Sequence, residues 1–308
     1  MAKVNFKNRD IISIKDFSKE EILHVLNTAK RFKEKTHPNL LKGKILASLF
    51  FEPSTRTRFS FESAMERLGG SVITLAEAKV SSSAKGESLS DSIRIVEKYC
   101  DAIVMRHSLE GSARLAAEVS NNPVINGGDG ANQHPTQTFL DLFSILETQK
   151  KLNCLNIALV GDLKYGRTVH SLAYALSLFG CRLYLVSPKS LCMPDYVLTE
   201  LKANKTHYSE HLRPERIMNK IDVFYATRIQ KERFADAIEY EKVKDVYIIN
   251  KSLLVNVKKN FRILHPLPRV NEINYEVDET PYAYYFQQAS NGLWVRQALL
   301  ALVLGGKI

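Results

Sequence analysis

The sequence predicts an α/β protein of two doubly wound parallel-sheet domains linked by helices. Three observations carry this. Short apolar runs alternate with amphipathic stretches along the chain, several of those runs lead straight into a helix start, and the second half repeats the grammar of the first. Strands that alternate with helices imply parallel sheets with right-handed crossovers. The 308 residues exceed one small core and suit two domains of common size. The expected division is 1–149 and 150–286. A C-terminal segment at about 287–308, with its helix near 290–304, is expected to pack back on the first domain.

Ser18 followed three residues later by Glu21 is a capping box, and Ile22, Val25, Leu26 and Ala29 recur at helical spacing behind it. ILASLFF (45–51) is a short apolar run of the buried-strand kind and leads into EPSTRTRFSFESAMERLGG. There Phe61, Met65 and Leu68 predict a helix, with Gly69 and Gly70 as its stop. The serine-rich stretch KVSSSAKGES precedes another helix. DAIVMRH is a strand with Arg106 at its carboxyl end, and PVIN (123–126) is a further strand, followed by a glycine-rich loop, GGDGANQ. HPTQTFLDLFSILETQ begins a helix near 134–149 that connects the domains, with Pro135 in its first turn and Phe139, Leu142, Phe143 and Leu146 as its apolar stripe. In the second half NIALVGD is a strand, GRTVHSLAYALSLFG a helix, CRLYLVSP a strand, and a helix follows Pro194; IDVFYATR, VYIIN and RILHPLP are expected strands. In such folds ligands bind outside the carboxyl ends of the strands.

Composition narrows the class. Hydrophobic residues are 45% and charged residues 25%, the balance of a soluble globular protein. The segment MAKVNFKNRDIISIKDF has no signal-peptide core and no run approaches the ~20 apolar residues of a membrane span, so a cytoplasmic protein without a membrane partner is expected. Cys100, Cys154, Cys181 and Cys192 form no CxxC pair, which suggests neither a zinc site nor a disulfide framework. The net charge of +10 fits a nucleic-acid partner, a surface of solvated lysines, or a pocket for small anions. Lysines in helical stretches such as 30–35 fit the second reading, and no nucleic-acid motif is present.

Several arginines instead sit inside tight motifs. Ser54, Thr55, Arg56, Thr57 and Arg58 place hydroxyls, guanidinium groups and unpaired backbone amides at one helix amino terminus, which suits a phosphate. The plainer alternative is a serine cap with two surface arginines. Arg106 lies at a strand end, and His134 with Gln137 at a second helix start. In HPLPR (265–269) the prolines fix a backbone whose carbonyl groups can face N–H donors. In VGDLKYGRTVHS (160–171), Gly161 and Gly166 do not make the dinucleotide fingerprint. Arg167 there, and Arg228 with Gln230 after IDVFYATR, suit carboxylates.

FFEPSTRTR, DAIVMRH, NQHPTQT, GDLKYGRTVHS, TRIQKER and HPLPR, in this order across nearly the whole chain, resemble the carbamoyltransferase family. The aspartate branch is the closer match, because ATRIQKER and HPLPR stand where ornithine enzymes carry an SMG-type loop and an HCLP cysteine motif. No cysteine lies near Pro266. The resemblance implies that Ser54, Thr55, Arg56, Thr57, Arg106, His134 and Gln137 bind carbamoyl phosphate, with main-chain groups of Pro266 and Leu267 receiving its amide. It implies that Lys85, Arg167, Arg228, Gln230, Leu267 and Pro268 hold L-aspartate, and that Arg56, Thr57, Lys85, Arg106 and His134 carry catalysis. Ser81 and Lys85 resemble a loop pair that enters the neighbouring subunit's site; Ala84 stands where some relatives have a second lysine. Glu52 resembles the acid that bridges closed domains through Arg167 and Arg233. No metal or organic cofactor is implied. The implied assembly is a homotrimer, alone or in a larger complex with separate regulatory chains, acting in pyrimidine biosynthesis. An ornithine carbamoyltransferase shares the phosphate half but requires acidic groups for its substrate amine, and a basic nucleic-acid-binding module is the alternative from another class.

Overall fold

The computed structural model describes residues 4–75, 86–229, 234, 237–243 and 246–306. It divides into two compact units, Met1–Phe143 with Ser290–Ile308, and Ser144–Ala289. Among the described residues no helix is long and apolar enough to cross a membrane.

The first unit contains α1 (Lys19–Glu34), β1 (Ile45–Phe50), α2 (Thr55–Arg67), β2 (Ser71–Leu75), α3 (Leu89–Val96), β3 (Ala102–His107), α4 (Ser112–Val119), β4 (Val124–Asp129) and the start of α5 (Pro135–Gln149). The capping box opens α1: the Glu21 amide donates to Ser18 Oγ at 3.2 Å and the Ser18 amide to Glu21 Oε2 at 2.8 Å. Ile22, Val25, Leu26 and Ala29 are fully buried beneath it. The four strands form a parallel sheet in the order β2-β1-β3-β4. One core joins Ala47, Leu49, Ile103, Met105 and Val124 from the sheet to Ile93 of α3 and Ala113 and Ala116 of α4. The expected loop after Asn126 begins later, because β4 runs on through Gly127 and Gly128 to Asp129. A Cβ at Gly127 would stand 3.0 Å from the Met105 carbonyl oxygen, so strand pairing there favours a residue with no side chain.

The second unit contains β5 (Asn156–Val160), α6 (Arg167–Ser177), β6 (Arg182–Val186), α7 (Asp195–Ala203), β7 (Tyr208–His211), β8 (Val223–Ala226), α8 (Ala237–Val243), β9 (Arg262–Leu264) and the start of α9 (Tyr285–Val303). Its parallel sheet has the order β7-β6-β5-β8-β9. Ala158, Val160, Tyr184, Val186, Phe224 and Ile263 from the strands pack with Phe261 and Tyr285. The strand expected at 246–250 does not join this sheet. The edge beside β9 is taken by the segment before α9: the Ile263 amide donates to Tyr282 O at 2.8 Å and the Tyr284 amide to Ile263 O at 3.0 Å. Residue 249 pairs instead with the 272–274 backbone through one isolated bridge. The last helix also begins earlier than expected, at Tyr285, and the boundary between the units falls within α5 and α9.

Candidate active site

In each unit the strand order places a topological switch point between two central strands. The chain leaves β1 toward β2 at one edge, whereas β3 and β4 lie on the other side, so the crevice opens at the carboxyl ends of β1 and β3. Residues 54–58 follow β1, and Arg106 is in the last turn of pleat of β3, paired in register with Phe50. The sequence-predicted groups Ser54, Thr55, Arg56, Thr57 and Arg106 therefore collect at one switch point.

Local physics makes this an anion-attracting corner. Ser54 occupies the N-cap position of α2, yet its side chain makes no cap hydrogen bond, so the plain serine-cap reading does not describe it. No acidic residue lies in the first turn to offset the helix dipole. Thr57 is buried. Arg56 keeps solvent contact, but desolvation by surrounding protein lowers its guanidinium from the ordinary value. Arg106 is lowered chiefly by burial, offset in part by Glu52, and the positive charge of Arg56 acts in the same direction as burial. Two cations thus repel each other where an anion would relieve both. Arg106 Nη2 stands 2.9 Å from Glu52 Oε2, and its Nη1 donates to Gly127 O at 3.3 Å. The pairing of Glu52 with Arg106 is not among the sequence expectations.

His134 and Gln137, both buried, stand where the β4 loop enters α5. Asp129 shapes that loop. Its carboxylate accepts from Asn126 Nδ2 at 2.8 Å, the Gly111 amide at 2.9 Å, Asn132 Nδ2 at 3.0 Å and the Gln133 amide at 3.1 Å. Within α5, Gln137 Nε2 donates to Asp141 Oδ1 at 2.8 Å, and Asp141 is wholly buried. Arg296 of α9 is buried over the Phe61 ring, 5.1 Å from its centroid. Burial pulls its guanidinium down to about 9, against the raising effect of Asp141, and leaves it a cation at neutral pH.

In the second unit the switch point lies between β5 and β8. Arg167 opens α6 after β5, and Arg228 follows β8; both are partly buried. The β5 turn is fixed by Asp162, whose Oδ1 accepts from the Lys164 and Tyr165 amides at 3.1 and 2.9 Å. Gly161 has φ +118, and a Cβ there would lie 2.3 Å from Thr227 O, so a side chain is excluded where β5 and β8 diverge. Pro266, Leu267 and Pro268 follow β9, the strand beside β8. Leu267 has φ +54, a left-handed conformation unusual for leucine. Its amide donates to His265 Nδ1 at 2.8 Å, which leaves the proton on Nε2, 2.7 Å from Glu272 Oε1. Ser81, Lys85, Gln230 and Arg233 lie outside the described residues.

Sequence reasoning missed Asp129, Asp141, Glu272 and Arg296. Asp141 carried a signal, a carboxylate one helical turn beyond Gln137; Arg296 carried none, since its neighbours are distant in sequence.

Two family models match the chain: the carbamoyl-phosphate-binding domain of aspartate/ornithine carbamoyltransferase over residues 9–147, and the aspartate/ornithine-binding domain over 153–303. An aspartate carbamoyltransferase catalytic subunit 2 from Shewanella halifaxensis is 56% identical over 298 residues, 96% of each chain. A catalytic subunit from Methanopyrus kandleri is 54% identical over 306 residues, 98% of this chain and 99% of that one. Among solved structures, the catalytic subunit of M. jannaschii aspartate transcarbamoylase is similar at 54% identity and a TM-score of 0.89, over 95% of this chain and 96% of that one. The Trypanosoma cruzi aspartate transcarbamoylase in complex with N-(phosphonacetyl)-L-aspartic acid is similar at 38% identity and a TM-score of 0.92, over 97% of both chains. With both switch points furnished for anions and both family models matched in order, the chain belongs to the aspartate/ornithine carbamoyltransferase family.

Proposed function

We propose that this chain is an aspartate carbamoyltransferase, transferring the carbamoyl group of carbamoyl phosphate to the amine of L-aspartate to give N-carbamoyl-L-aspartate and phosphate. The observation that carries this reading is the pair of cation-bearing switch points, one per unit, each with the residue types its substrate needs. The first unit takes carbamoyl phosphate. The α2 amino terminus with Ser54, Thr55, Arg56 and Thr57 receives the phosphate, and Arg106, Thr57 and His134 face the carbonyl oxygen. Gln137 and the main-chain carbonyls of Pro266 and Leu267 accept from its NH2 group. The second unit takes aspartate, whose two carboxylates need two cations; Arg167 and Arg228 supply them, helped by Gln230 and the 267–268 backbone.

The aspartate amine attacks the carbamoyl carbon in its unprotonated form. Negative charge moves to the carbonyl oxygen in the tetrahedral intermediate, where each preorganised donor is worth about 3 kcal/mol. Collapse expels phosphate into the α2 corner, with Lys85 adding charge. The departing phosphate accepts the amine proton, so no protein base is assigned. Much of the remaining acceleration comes from holding two reactants in register. Glu52 serves closure by exchanging Arg106 for Arg167 and Arg233, which frees Arg106 for the substrate.

The working form is a cytoplasmic homotrimer in pyrimidine biosynthesis, with Ser81 and Lys85 acting in the neighbouring site. Exposed Phe59, Ile73, Ile95 and Tyr99 of the first unit are apolar surface for such contacts. The deciding assay measures ureido product from carbamoyl phosphate with aspartate or with ornithine. Product with aspartate alone supports the reading, and product with ornithine alone overturns it.

A further inference from the structure

A glutamine amide is ambiguous toward a ligand: a half-turn exchanges its acceptor oxygen for its donor NH2 at little cost. At Gln137 that ambiguity is removed. Nε2 donates at 2.8 Å to Oδ1 of Asp141, one helical turn later on α5, and an ionised carboxylate can only accept. Asp141 has no exposed surface, so its charge needs a counter-ion. Arg296, on a different helix, is a buried cation that feels the Asp141 charge, and it is held over Phe61 with Nη2 3.4 Å from Thr136 Oγ1. With one N–H of the amide held by Asp141, the Gln137 group cannot flip without setting Oε1 against the carboxylate, so Oε1 stays on the other side of the amide as an acceptor.

We propose that Asp141 is a positioning and specificity-determining residue that fixes the polarity of the Gln137 amide, so that the carbamoyl pocket demands an N–H donor from its ligand. The inference rests on the reading that Gln137 meets the carbamoyl NH2. It follows that an acyl phosphate of the same shape but without N–H groups should bind less well, because a methyl group in place of NH2 leaves Oε1 unpaired.

The experiment compares kcat/KM for carbamoyl phosphate with the competitive inhibition constant of acetyl phosphate, which carries CH3 in place of NH2. In Asp141→Asn the side chain gains a donor; the field of Arg296 draws its oxygen, its NH2 turns toward Gln137, and the glutamine reverses. We expect kcat/KM for carbamoyl phosphate to fall roughly 10- to 100-fold while acetyl phosphate binding changes less than about threefold. Equal loss for both ligands, or unchanged discrimination, overturns the proposal, since a merely structural Asp141 cannot separate the two. Gln137→Ala distinguishes the underlying reading: if it leaves discrimination intact, Gln137 does not meet the NH2 at all. If it abolishes discrimination while Asp141→Asn does not, only the role of Asp141 fails. Should Asp141→Asn not fold, Asp141→Leu combined with Arg296→Met removes both charges together and strands neither. That variant must also lose discrimination, and retention of it overturns the proposal.

Discussion

Arg106 is largely buried at the carboxyl end of β3, and Glu52 at 2.9 Å compensates its charge. If Arg106 receives carbamoyl phosphate as proposed, the carboxylate competes with it for the same guanidinium and also places a negative charge beside the dianion. Glu52→Gln removes both effects, so carbamoyl phosphate is expected to bind as tightly or a few-fold more tightly. If Glu52 also serves closure, kcat with aspartate falls about tenfold or more, since positioning is lost. Equilibrium binding and steady-state kinetics on one preparation check both arms, and weaker carbamoyl phosphate binding would refute the competition argument. Arg228 sits on the other unit and is the proposed partner of the other substrate. Arg228→Ala is expected to cost aspartate kcat/KM at least about 100-fold, the scale of a lost charge-assisted pair. Carbamoyl phosphate binding, read by calorimetry, should change less than twofold; an equal loss for both substrates contradicts the division of labour between the units.

At the scale of elements, what could be read in advance were patterns complete within a short window. The α1 capping box is one: both reciprocal bonds form, and the apolar stripe behind it is buried. Ser18→Ala should lower stability by about 1 kcal/mol, measured by denaturant unfolding, with kcat unchanged, because the cap supports a helix and not the site. Strands β1, β3, β5 and β6 were legible as buried apolar runs, and the anion corner was legible because its residues are contiguous. Strand β2 was not, since its side chains are largely exposed, and β7, with sequence YSEH, lacks an apolar run. The 246–250 run misled for the opposite reason. It has the composition of a strand, but Val246 and Ile248 face solvent and the β9 edge it would need is occupied by the segment before α9. Gly127 and Gly128 have the composition of a loop but belong to β4, and the close approach of β3 accounts for the glycine at 127. Arg296 acts through partners brought together only by the fold: it meets Thr136 across 160 residues. No local pattern encodes that.

For the molecule as a whole, a net charge of +10 suits two anionic substrates, and the parallel sheets deliver their cations to strand ends instead of spreading them over a face. The proposed trimer adds a further demand, because Lys85 would complete a site whose Arg56 belongs to another copy. A cyclic trimer allows that arrangement, with each interface pairing one chain's loop to the next chain's phosphate corner. Arg56→Ala and Lys85→Ala trimers should each be nearly inactive while remaining folded. When the two are dissociated and reassembled together, some interfaces join an intact Arg56 corner to an intact Lys85 loop, whereas the others carry one or both lesions. Partial activity well above either parent is therefore expected, with the aspartate KM of the recovered sites close to that of the unmodified enzyme. Reassembly of each mutant with unmodified chains measures exchange efficiency independently. If verified hybrids form and still show no recovery, Lys85 does not act across the interface, and the site is complete within one chain.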